Sequence, residues 1–215
     1  MLLYEEQRRE LIETAKRMEQ YNLVKMSGGN VSLRMPDGLI LVTPSAMDYN
    51  TMLPEDIVIV DINGNVVDGI RRPSSDLKAI LYILKNMPSV NAVIHTHQPK
   101  ATAFSLVEDV LPIITTTMVD EVKAEVQVAP FTISSDEGMG IQTVKYAGKA
   151  LCVILKNHGI MAYGKSLEQA LSAAVYLEET CDVYLSAIAS GKSITPLTTE
   201  QIEAEDAPRG NYGQF

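Results

Sequence analysis

Two of the chain's three histidines stand at i and i+2 in Asn91-Ala-Val-Ile-His-Thr-His-Gln-Pro. Val90 to Ile94 is a short β-branched run, the pattern of a buried strand. Successive strand side chains alternate faces, so His95 and His97 point the same way. Pro99 stops the strand and leaves the pair at its exit, where open sheets tend to place ligands. One strand histidine is ordinarily a satisfied structural residue, whereas two on one face favour a metal. The third, His158, follows the apolar run Leu151-Cys-Val-Ile-Leu-Lys-Asn, again just past a strand end. Three neutral imidazoles with an open fourth position are the usual ligand set of a catalytic zinc. The sequence therefore reads as a metal centre.

With 215 residues the chain can bury a sizeable core as one domain, and it shows no repeat, low-complexity segment or linker. Hydrophobic content of 46% and charged content of 21% are globular values. A net charge of −9 argues against a nucleic-acid partner, because tracking phosphates needs a basic excess. It leaves room for a small anionic substrate. The N-terminus turns charged within five residues, unlike a signal peptide, and no apolar run reaches the roughly 18 residues of a membrane span. Cys152 and Cys181 lack Cys-x-x-Cys spacing and read as two buried thiols of a cytoplasmic protein.

Taken in order, a helix is expected from about Glu5 to Gln20, with Leu11, Ile12, Ala15 and Met18 as its apolar stripe. In Met26-Ser-Gly-Gly-Asn-Val-Ser, paired glycines allow a tight turn with exposed amides. That suits either an anion loop or a plain hairpin turn. Strands at Leu39–Val42 and Ile57–Ile62, with a turn at Asn63-Gly-Asn leading into Val66-Val67, read as an antiparallel meander. Pro73-Ser-Ser-Asp opens a helix where a serine hydroxyl caps free amides, and such a terminus also accepts phosphate. Asp76 falls in its first turn, which explains it by the helix dipole alone; the functional alternative is a metal or proton-transfer role. Two strands are expected around Asp120-Glu121, between Leu111 and Pro130. Ser166-Leu-Glu-Gln reads as a capping box for a long helix ended by Gly191. The tail from about 196 reads as mobile.

Gly-Gly-Asn-Val-Ser at 28–32, Thr-Pro-Ser at 43–45, Pro-Ser-Ser-Asp at 73–76, His-Thr-His at 95–97 and Asn-His-Gly at 157–159 together resemble the class II aldolase/adducin family in order and spacing. The resemblance covers nearly the whole chain. It implies an α/β fold, three-layer α/β/α with a mainly antiparallel central sheet, and a homotetramer with active sites between subunits. By motif match, His95, His97 and His158 would hold one Zn²⁺ per subunit, with Asp76 at the metal or as acid/base. Gly28, Asn30, Ser45, Ser74 and Ser75 would hold the substrate phosphate. Thr116, Asp120 and Tyr212 would act in a neighbouring subunit's site, the tail closing over it. Asp76 stands where the family's fuculose-type aldolases carry glutamate and its epimerases aspartate. Thr43 stands where the epimerases carry a lysine, and no histidine follows His158.

The activity so implied is retro-aldol cleavage of a phosphorylated ketose, an L-fuculose-1-phosphate-like ketose 1-phosphate, to dihydroxyacetone phosphate and an aldehyde. The alternative is 4-epimerisation of L-ribulose 5-phosphate by the same bond cleavage and re-formation. A third reading is a non-catalytic binding module with a structural metal. Adducin-type relatives share the fold without the chemistry but typically lack the metal histidines, and all three are present here.

Overall fold

The computed structural model describes residues 2–207. Helix α1 (Glu5–Gln20) leads into strands β1 (Asn30–Arg34), β2 (Ile40–Val42), β3 (Val58–Val60) and β4 (Val66–Asp68). Helix α2 (Leu77–Asn86), strand β5 (Ala92–Thr96), helix α3 (Pro99–Ser105) and the short strand β6 (Val110–Leu111) follow. A π-helical turn (Met118–Val122) then precedes β7 (Val126–Ala129) and α4 (Glu137–Tyr146). The chain continues through β8 (Cys152–Leu155), β9 (Gly159–Gly164), α5 (Leu167–Ile188) and α6 (Thr199–Asp206).

Among the described residues the strands form one nine-stranded sheet, ordered β4-β3-β2-β1-β5-β9-β8-β7-β6. Every pairing is antiparallel except β7 with β8. Period-two alternation splits the strand residues between two cores. Leu41, Ile59, Ile94, Ile154 and Ile160 face one cluster, completed by Leu11 and Met18 of α1, Phe104 of α3 and Leu171 and Leu177 of α5. Ile40, Val58, Val60, Val93, Val153 and Met161 face the other, covered by Ile80 and Leu84 of α2 and Met139 of α4. This is the expected three-layer α/β/α arrangement with a mainly antiparallel sheet. No helix among the described residues is long and apolar enough to cross a membrane. Cys152 and Cys181 are both free and buried.

Several expectations are corrected. The pair Gly28-Gly29 is not a hairpin turn: it joins α1 to β1, whose partners are β2 and β5. His95 lies inside β5 rather than past it. Asp120 and Glu121 sit in the π-helical turn, and the strands on either side pair with each other. Asp76 is the residue before α2 rather than part of its first turn, and its side chain makes no cap. Ser166 accepts from the Gln169 N–H, but Gln169 Oε1 accepts from the Lys165 N–H, so the box is half-formed. Apart from these corrections, Thr199–Asp206 is helical, with a full box between Thr198 and Gln201. Tyr212 lies outside the described residues.

Arg8 ties α1 to the meander. It is fully buried. Its guanidinium donates to the carbonyls of Leu3 (2.7 Å), Pro54 (2.9 Å) and Ile57 (2.7 Å), and it pairs with Asp68 on β4. An apolar replacement takes this partner from three carbonyls, that of Ile57 buried, and hydrogen bonds to charged groups are each worth about 1.5–3 kcal/mol. Arg8→Met should therefore lower unfolding free energy by about 3 kcal/mol in urea titrations, and Arg8→Lys, lacking the planar fork, should recover only part of it.

Candidate active site

The three histidines arrive from the end of β5 and from the connection between β8 and β9. His95 is 1% exposed on β5, and its Nδ1 lies 2.8 Å from the Ile160 carbonyl of β9, a donor position that leaves the Nε2 lone pair facing outward. His95 Nε2 and His97 Nε2 face each other at 3.0 Å. His158 sits in the tight connection between β8 and β9, after Asn157 in the left-handed region (φ 62°). The three imidazoles offer ligand atoms that all lie within 4.8 Å of one another. Burial pushes the His95 imidazolium down to about 4, against the opposing pull of Asp76. Burial also lowers His97 and His158. All three are thus neutral near pH 7, the form that ligates metal.

Two glycines make this packing possible. A Cβ on Gly29 (φ +83°) would fall 2.3 Å from the His95 carbonyl, and one on Gly28 would lie 3.3 Å from His97 Nδ1. Buried Tyr49 donates its hydroxyl to the Gly29 carbonyl at 2.8 Å and so pins the loop from behind. Asp76 completes the back wall. Its Oδ2 accepts from Asn30 Nδ2 at 2.7 Å and stands 4.0 Å from His95 Nε2. Asn30 Oδ1 is buried without a partner among the described residues.

His97 and His158 open into a cavity of about 230 Å³. Gly28, Ser45, Ser74, Ser75 and Asp76 all line it, so the phosphate candidates and the imidazoles share one space. Asn30 lies behind the wall, bonded to Asp76. Asp120 is elsewhere: it lines a separate cavity of about 340 Å³ with Thr117, Lys123, Tyr176 and Glu205. Thr116 is exposed one residue before Thr117. Within one chain, Thr116 and Asp120 do not converge with the histidines.

Ser134 and Ser135 also line the histidine cavity, and sequence reasoning passed over them. A signal was available, because Ser-Ser-Asp occurs at 134–136 as well as at 74–76, each time directly ahead of a helix. The two aspartates behave differently. Asp136 caps α4, accepting from the Gly138 N–H at 2.7 Å, while Asp76 turns away from α2 toward Asn30 and the histidines.

The model of the class II aldolase and adducin N-terminal domain matches residues 9–185. The chain belongs to this family. An L-fuculose phosphate aldolase of Methanococcus maripaludis is 35% identical over 81% of this chain and 93% of its own length. A 5-deoxy-D-ribulose 1-phosphate aldolase of Bacillus thuringiensis is 28% identical over 99% and 100%. An L-ribulose-5-phosphate 4-epimerase of Salmonella paratyphi B is 30% identical over 92% and 93%. Among solved structures, an L-fuculose 1-phosphate aldolase superposes with a TM-score of 0.86 at 30% identity, covering 93% of both chains. Class II aldolases are metal-dependent, and the donor set fits a metal: three neutral, convergent imidazoles, one with its second nitrogen tied to a carbonyl.

The depressed His95 value fixes the sign of a pH effect. Between the ordinary 6.5 and the folded value of about 4, the unfolded chain binds the proton and the folded one does not. Stability is therefore full above pH 6.5 and is lost as pH falls toward 4. Chelator-treated protein should melt at progressively lower temperature across that window, and His95→Gln should flatten this part of the profile.

Proposed function

We propose that this chain is a zinc-dependent sugar-phosphate aldolase that cleaves a ketose 1-phosphate to dihydroxyacetone phosphate and an aldehyde. The observation that carries the reading is the shared cavity: His97 and His158 of the histidine cluster, the Gly28-Gly29 loop and Ser45, Ser74 and Ser75 line one space of about 230 Å³. His95, His97 and His158 would hold the zinc. When bound, it supplies a Lewis acid that draws electrons from the breaking C3–C4 bond.

The chain's own residues do the rest. Ser45, Ser74 and Ser75 with the Gly28 loop hold the phosphate and so fix the C1 end against the histidines. A base takes the C4 hydroxyl proton, the C3–C4 electron pair stays with the three-carbon fragment, and a proton is returned at C3. Asp76, held beside His95 by Asn30 and freed from capping, is the group we assign to the C3 proton. Asp120, Thr116 and Tyr212 are assigned to the C4 side in a neighbouring copy's site, which requires an oligomer, a homotetramer. The separation of Asp120 from the histidines within one chain supports this. The open, half-exposed face of the cluster disfavours a binding module with a structural metal, since structural sites are closed. We place the enzyme in the cytoplasm.

A second reading, 4-epimerisation of L-ribulose 5-phosphate, is favoured by Asp76 itself. Aspartate is a methylene shorter than glutamate, and here it lies 4.0 Å from His95 Nε2, on the metal side. Epimerisation closes the bond again and must avoid protonation at C3.

Proton exchange separates the two. The metal-loaded aldolase should exchange a C3 proton of dihydroxyacetone phosphate with deuterated water in the absence of aldehyde. Asp76→Asn should slow this by a factor on the order of 10² or more. His95→Ala/His97→Ala should abolish it together with stoichiometric metal by elemental analysis. No exchange, with ribulose 5-phosphate converted to xylulose 5-phosphate, would establish the epimerase instead. The assembly is checked separately: light scattering should report a tetramer, and an active monomer at assay concentration would refute the shared site.

A further inference from the structure

The histidine cavity has no side-chain cation. Among its described lining residues none is lysine or arginine, and Asp76 adds a carboxylate. The chain as a whole carries a net charge of −9. Thr43 does not help, since it is 1% exposed and its Oγ1 accepts from the Val31 N–H at 3.2 Å. Besides the two imidazoles and the Asp76 carboxylate, a phosphate dianion in this space would meet only uncharged serine and backbone groups.

A further cavity, of about 400 Å³, is lined by the turn Pro44-Ser45-Ala46 together with Met47, Arg71 and Arg72. The turn therefore lines both spaces. It is firmly held. The Ser45 N–H donates to the Arg72 carbonyl and the Ser74 N–H to the Thr43 carbonyl, both at 3.0 Å, and Pro44 and Pro73 form an antiparallel bridge. Ala46 adopts a left-handed conformation (φ 54°) to close the turn, a backbone state that concentrates at binding sites.

The two arginines are not equivalent. Arg71 Nε donates to Asp56 Oδ1 at 2.8 Å, and Asp56 is itself buried and bonded to the Leu53 N–H. Arg72 is exposed, and its guanidinium has no ion pair or hydrogen bond among the described residues. Backbones paired across an antiparallel bridge lie about 5 Å apart, within the span of an arginine side chain. We propose that Arg72 is the cation for the substrate phosphate, reaching over the Pro44–Ala46 turn to an anion held at Ser45 and the Ser74–Ser75 helix start. The guanidinium fork suits two phosphate oxygens at once. This rests on the sugar-phosphate reading above and adds the residue that supplies charge.

Titration calorimetry of metal-loaded protein with inorganic phosphate and with dihydroxyacetone phosphate tests it, using wild type, Arg72→Gln, Arg72→Lys and Arg71→Gln. Arg72→Gln should weaken both ligands about tenfold or more while retaining full metal content, and should bind with a shallower salt dependence. Arg72→Lys should fall between it and wild type, and Arg71→Gln should bind as wild type does. Wild-type affinity in Arg72→Gln, or weakening accompanied by metal loss, would overturn the assignment. A wild type that binds neither ligand would overturn the sugar-phosphate reading itself, and Arg72 with it.

Discussion

The site depends on how closely bare backbone can approach strand β5. The strand is buried along its whole length, so its register cannot slip without exposing apolar side chains. At its C-terminal end two glycines come in, one from each flank. Gly29 packs on the His95 carbonyl, and Gly159, where a Cβ would fall 2.1 Å from the Thr96 carbonyl, opens β9. With both flanks this tight, the His95 ring has one place to go, and the Ile160 carbonyl fixes its tilt. Ligand geometry is thus set by main-chain packing rather than by side-chain choice. That is a stiff scaffold for the proposed metal, whose coordination tolerates errors of only about 0.2 Å.

The second organising feature is the pair of helices behind the cavity. Helices α2 and α4 pack so closely that a Cβ on Gly140 would fall 2.5 Å from the Ala79 carbonyl. Both begin after a Ser-Ser-Asp step, and all four serines reach the same space. The same tripeptide serves two ends. At α4 the aspartate satisfies the helix, whereas at α2 that cap is given up and the carboxylate is spared for the histidines. A residue that forgoes an available local bond is a better functional candidate than one that takes it.

Much of this was legible from spacing. Helix α1 falls where Leu11, Ile12, Ala15 and Met18 placed it, and the meander and the buried thiols follow from alternation and composition. The three-layer order and the phosphate assignments came from the family resemblance, and of the latter all but Asn30 reach the cavity wall. What failed was local geometry controlled from a distance. The π-helical turn at Asp120 follows no apolar period, and it packs against α5, far along the chain. Asp76 reads as a first-turn carboxylate from sequence because propensity does not see Asn30, which meets it only through the fold. Ser134 and Ser135 carry only the repeated Ser-Ser-Asp tripeptide as a mark, with no glycine or histidine in their loop. The tail helix was missed because its side chains are largely exposed, leaving little apolar stripe to read.

The candidate ligand set is nitrogen alone, and both thiols are shut away in the core. Burial raises Cys152 and Cys181 well above the ordinary thiol range, so neither offers a thiolate to oxidants or to disulfide exchange. A centre ligated by cysteine sulfur releases its ion when those sulfurs are oxidised. Imidazoles have no such rung to climb. The redox state of the surroundings therefore has no grip on this site through its ligands, and the thiols become available to an oxidant only when the sheet or the long helix α5 opens.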